Sequence, residues 1–180
     1  VTIGVLATIT DNKATYGGGL YYDGDTNEPA VCNINLEASC KFAGNSAVYG
    51  GAICIGELVE SYNNHIVRIT LATINTNFAQ YGGAVAILRG TLEVFGGDIS
   101  RNTCGVRGDN IYVSLGGTLS VYGGSVGADG VSGEIVVLGN NSEGRSGRMQ
   151  LASGATINDV VRLFDGAKIF VTSDLTSSKV

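Results

Sequence analysis

One unit, restated along the chain, narrows the fold more than any bulk property does. In residues 41–55, KFAGNSAVYGGAICI, an apolar residue stands three positions before an asparagine (Phe42, Asn45). A small residue (Ala47), a tyrosine (Tyr49), a glycine pair (Gly50, Gly51) and an apolar alternation (Ile53, Ile55) follow. Upstream, ITDNKATYGGGLYY carries Ile9, Asn12, Ala14, Tyr16, Gly17, Gly18, Leu20 and Tyr22 in the same places. Downstream, INTNFAQYGGAVAI carries Ile74, Asn77, Ala79, Tyr81, Gly82, Gly83, Val85 and Ile87. A weaker copy, ISRNTCGVRGDNIYV, keeps Ile99, Asn102 and Gly108 but has Cys104 at the small position and Val106 at the tyrosine position. Such self-similarity marks a repeat architecture, in which neighbouring units bury one another's apolar faces.

The asparagines are spaced by 33, 32 and 25 residues. The two longer intervals contain polar excursions at 23–30 and 56–65; without them the period falls to about 25, as expected if insertions map to loops. GTLEVFGGDI (90–99) is echoed by GTLSVYGGSV (117–126), and weaker echoes follow at 147–157 and 166–171, with another excursion at 139–146. The repeats are best defined over 9–113 and degraded over 114–171, so residues 1–180 read as a single domain. Period-2 apolar runs such as Leu92, Val94 and Leu119, Val121 indicate half-buried strands, and no apolar stripe of helical period runs ten residues.

About three short strands and three turns fill a period of about 25 residues. The expected fold is therefore all-β: a right-handed parallel β-helix, or β-solenoid, of about seven coils of roughly 25 residues. Equivalent residues would then stack. Asn12, Asn45, Asn77 and Asn102 are expected to form a hydrogen-bonded ladder, and Tyr16, Tyr49 and Tyr81 an aromatic one. The glycine pairs would supply positive φ at a corner. Replacing Asn45 by leucine would cost about 1–3 kcal/mol.

Composition agrees: 28 glycines, one proline, 44% hydrophobic and 15% charged residues exclude disorder and collagen alike. A net charge of -5 with scattered basic residues argues against a nucleic-acid partner. No apolar run is long enough for a membrane span. Val1 opens the chain in an apolar strand pattern with no capping segment, and the end, SDLTSSKV, is short and polar. This predicts either a piece of a longer solenoid or subunits that stack head to tail.

The pairs Phe42-Ala-Gly-Asn45 with Gly50-Gly51-Ala52-Ile53, and Ile74 to Asn77 with Gly82-Gly83-Ala84-Val85, resemble the FxxN and GGA[I/L/V] repeats of the polymorphic outer membrane proteins of chlamydiae. Ile9 to Asn12 with Gly17-Gly18-Gly19-Leu20 is similar. The resemblance implies a right-handed parallel β-helix exposed on a cell surface, usually an adhesin. It implies an extracellular or cell-surface location and a glycan or host surface as partner.

Candidate sites are few. Four cysteines (Cys32, Cys40, Cys54, Cys104) lack CxxC spacing and only one histidine is present, so no zinc site is expected. Three pairings are open to them; a Cys32–Cys40 disulfide across a turn at 37–39 is one, and Cys104 reads as a buried free thiol. Asp23-Gly-Asp25-Thr-Asn27 begins like a calcium loop, but Ile34 stands where the bidentate glutamate belongs, which predicts a solvated acidic loop. No metal and no cofactor are expected. His65 is expected at the surface. Asn140 opens the sole glycosylation sequon. Asp98, Arg101, Arg107 and Asp109 form a local charge cluster of the kind carbohydrate-cleaving β-helices use, but such clusters at corners are usually solvated, and the chain is not expected to be an enzyme. Three functions follow from the sequence: a fibre subunit, a passenger-type adhesin, and, as an alternative, a polysaccharide-binding or polysaccharide-degrading protein.

Overall fold

The computed structural model describes residues 1–23, 33–58, 65–114, 116–128, 130–139 and 145–172. Among them there is no helix, and hence none long and apolar enough to cross a membrane. The protein is all-β, with strands in three sheets whose pairings are parallel throughout.

The first sheet is the largest. One part runs through Thr2–Ile3, Asn33–Leu36, Ile66–Ile69 and Gly90–Val94, and a second through Thr8–Thr10, Lys41–Ala43, Ala72–Asn75 and Gly97–Ser100. The long strand Gly117–Val126 joins both, pairing Thr118 to Val121 with Thr91 to Val94 and Ser125, Val126 with Asp98, Ile99. Arg148–Ile157 lies beside it and Lys168–Val171 beyond that. In the early repeats a turn separates the two parts, with Ser39 at φ 65°. In Gly117–Val126 the same passage is Tyr122-Gly123-Gly124, and a register shift between Val121 and Gly123 lets pairing run through it. Ser46–Tyr49, Phe78–Tyr81 and Thr103–Arg107 make the second sheet. Leu20–Tyr22, Ile53–Ile55, Val85–Ile87, Ile111–Val113, Glu134–Val137 and Val160–Leu163 make the third.

Each strand thus lies beside its counterpart in the next repeat, in register except for shifts in Thr103–Arg107 and between Val121 and Gly123. Leu92 pairs with Val67 on one side and Leu119 on the other; Val85 pairs with Ile53 and Ile111. Parallel pairing stacks like on like, so an apolar position in one repeat buries the same position in the next. One core results, with Ile34, Val67, Leu92, Leu119 and Met149 from the first sheet facing Ile53, Val85, Ile111 and Ile135 from the third. Its strands read as near-continuous apolar columns, as expected where a parallel sheet is covered. Burial fades toward the last strands, where Val160, Leu163, Ile169, Phe170 and Val171 are exposed.

Two columns of backbone geometry shape the turns. The residue before each repeated asparagine has positive φ: Asp11 59°, Gly44 68°, Thr76 55°, Arg101 55°. The glycine pairs divide two tasks. Gly50 has φ 65°, whereas at Gly51 a Cβ would lie 2.2 Å from the carbonyl oxygen of Gly83, so close backbone approach excludes any side chain. The sequence accounted for the first glycine of the pair; the contact that fixes the second is tertiary.

Candidate functional site

The most ordered polar feature is a column of amides. Asn12 donates from both its backbone N–H (3.1 Å) and its Nδ2 (3.0 Å) to Asn45 Oδ1. Asn45 does the same to Asn77 Oδ1 (3.0 and 3.0 Å), and Asn77 to Asn102 Oδ1 (3.0 and 2.9 Å). Each Nδ2 also reaches a backbone carbonyl: Asn45 to Ile9, Asn77 to Phe42, Asn102 to Ile74. This carbonyl belongs to the apolar residue three before the preceding asparagine, which explains why the repeat fixes that spacing. Asn45, Asn77 and Asn102 are buried and Asn12 is exposed, so the ladder is dry in its middle.

The column does not stop at Asn102. Asn102 Nδ2 donates to Asn110 Oδ1 at 2.8 Å, and Asn110 Nδ2 to Asp159 Oδ2 at 2.7 Å. Asn110 is only 8 residues after Asn102, off the repeat period, so periodicity could not find it. Burial, aided by the nearby Asp109 and Glu134, pushes the Asp159 carboxyl above its ordinary range, against the hydrogen bond from Asn110. Arg162 Nε meets Glu134 Oε1 at 2.6 Å and compensates that second carboxylate.

The aromatic column also extends further than the sequence indicated. Tyr16 and Tyr49 stack at 5.5 Å and Tyr49 and Tyr81 at 5.2 Å, with ring planes within 12°. The rings cover the outward positions of the third sheet, where Cys54 and Ala86 are small and fully buried. The sequence aligns Val106 with the tyrosines, but a register shift sets Arg107 beside Tyr81 instead; the covered position becomes Tyr112, which meets Tyr81 at 5.3 Å. Arg107, paired with Tyr81, lies 4.5 Å above the Phe164 ring. Tyr49 is thus stacked on both faces, while the outer rings meet Tyr21 and Tyr112.

Cys32, Asn140 and the acidic loop after Asp23 lie outside the described residues. Cys40 is a buried free thiol whose Sγ donates to the carbonyls of Ile3 (3.2 Å) and Gly4 (2.9 Å). Cys104 is free but only half-buried, a correction to the buried reading, because its strand bulges where Tyr81 pairs with Arg107; burial and a hydrogen bond with Asp109 push its thiol up to about 12. His65 is also corrected: it is 5% exposed, edge-on to Tyr22 at 5.2 Å and 3.8 Å from Asp23. It immediately precedes the strand Ile66–Ile69 and is drawn in with it, Thr91 N–H donating to its carbonyl. Burial, followed by Glu57, raises the Asp23 carboxyl. Three members of the charge cluster have separate partners: Asp98 accepts from Ser100 Oγ at 2.6 Å, Asp109 from Cys104 N–H at 3.1 Å, and Arg107 has its ring; Arg101 is exposed. No group of three or more His, Cys, Asp or Glu able to hold a metal occurs among the described residues.

No family model, curated protein or solved structure matches the chain.

Proposed function

We propose that the chain is a right-handed parallel β-helix that serves as a rigid extracellular scaffold, stacking head to tail through its edge strands. The observation that carries this reading is the in-register parallel pairing of equivalent residues in all three sheets. Parallel strands of one sheet need crossovers, and these are right-handed almost without exception. At one strand spacing per coil, about seven coils give a rod about 35 Å long. The resemblance of the FxxN and GGA[I/L/V] motifs to chlamydial surface repeats supports the location. Stacking is supported by open edges: among the described residues Lys168–Val171 pairs on one side only, and its Ile169 and Val171 are exposed. Such an edge is a template for another strand.

Electron microscopy of the purified protein tests the assembly. Filaments are expected, and Ile169→Lys, which places a charge at the open edge, should leave single short rods. Monodisperse rods from the unaltered protein would overturn stacking. Catalysis has no part in this reading. A passenger-type adhesin is the second reading, favoured by an open groove lined by Arg148, Lys168 and Phe170.

A further inference from the structure

Strand Arg148–Ile157 presents Arg148 outward, and Lys168 of the edge strand lies beside it in register. One strand spacing, about 4.8 Å, separates their backbones. Both side chains are exposed, and among the described residues neither makes an ion pair. Like charges so placed repel unless an anion sits between them. Elsewhere in this sheet a cation has its counter-charge, Arg68 Nε meeting Glu93 Oε2 at 2.6 Å.

Two residues beyond Lys168, on the same face by strand alternation, Phe170 is 44% exposed. Arg148, Lys168 and Phe170, with Ser146, Gly147 and Gly166, line an open groove of about 150 Å³. The groove therefore combines a planar guanidinium fork, a compact ammonium, a hydroxyl and an aromatic ring.

We propose that this groove binds an anionic sugar residue of an acidic polysaccharide. Arg148 and Lys168 hold the carboxylate or sulfate, the arginine able to take it in bidentate fashion. Phe170 packs on the apolar face of the pyranose ring, the pairing of an apolar surface with a few placed polar groups typical of small-molecule sites. A nucleic acid fits less well, because a single ring offers no series of stacking platforms and the chain carries a net charge of -5. The site goes beyond the scaffold role and does not depend on it, since one subunit holds the whole groove.

Calorimetric titration of the full chain with polygalacturonate, dextran sulfate, neutral dextran and oligothymidylate tests the site. One or both acidic polysaccharides should bind, neutral dextran should not, and affinity should fall as salt rises. Arg148→Gln with Lys168→Gln should weaken binding by more than about tenfold, the scale of one charge-assisted hydrogen bond. Phe170→Ala should weaken it without changing the salt dependence. Because the double substitution relieves a repulsion, its melting temperature should equal or exceed that of the unaltered protein, which separates lost binding from lost folding. The proposal is overturned if neither acidic polysaccharide binds, if neutral dextran or oligothymidylate binds as tightly, or if binding survives the double substitution. Filament formation is scored separately by microscopy, so failure of stacking and failure of binding are distinct results.

Discussion

Replacing Asn77 by leucine tests what the amide column contributes. Asn77 is 1% exposed, and its Oδ1 is the acceptor for the buried backbone N–H of Asn45. Leucine is close in size but accepts nothing, so that N–H is left buried without its partner, at about 1–3 kcal/mol. The lost Nδ2 bonds to Phe42, Asn75 and Asn102 add to this, for a total of about 2–4 kcal/mol. For a chain of this size the melting temperature should fall by on the order of 10 °C. Asn45→Leu should cost less, because the N–H it strands belongs to exposed Asn12 and can turn to water. Asn12→Leu should cost under about 1 kcal/mol. Urea unfolding followed by circular dichroism gives the three values. The reasoning fails if the three costs are equal, or if Asn77→Leu lies within about 0.5 kcal/mol of the unaltered protein.

Two further outcomes follow from the same columns. Asp159 binds its proton more tightly folded than unfolded, so its share of stability is fully present below the ordinary carboxylate value of 3.8 and is lost as pH rises through the raised folded value. Asp159→Asn, which removes the charge facing Asp109 and Glu134, should flatten the fall in urea midpoint between acidic and neutral pH; an unchanged slope refutes it. Cys54, fully buried against the tyrosine rings, should resist thiol alkylation in the native protein and become labelled in Tyr49→Ala, read residue by residue by mass spectrometry. Equal labelling in both proteins would show that the rings do not cover it.

Much of the plan could be read from the chain because parallel stacking makes a residue its own neighbour. Asn12, Asn45 and Asn77 meet one another at the same position of successive repeats, as do Tyr16, Tyr49 and Tyr81, so periodicity is already contact information. The alternation in Leu92, Val94 or Ile53, Ile55 likewise fixed which side chains enter the core, since a strand has only two faces.

What the repeat could not supply is everything that joins unlike positions. Asn110 and Asp159 complete the amide column from outside the period, and Tyr112, from another sheet, packs against Tyr81 where the stack of repeated tyrosines ends. His65 is buried by the apolar strand it leads into, although the residues just before it in sequence, at 62–64, are polar. Arg148 and Lys168 belong to the degraded repeats, where the chain offers no register, and only the sheet sets them side by side. The sequence by itself determined an all-β chain of parallel-stacking repeats, because identical units bury identical faces. The tertiary structure alone decided the ends of the ladders and the charged groove, because these depend on distances between residues that share no periodic relation.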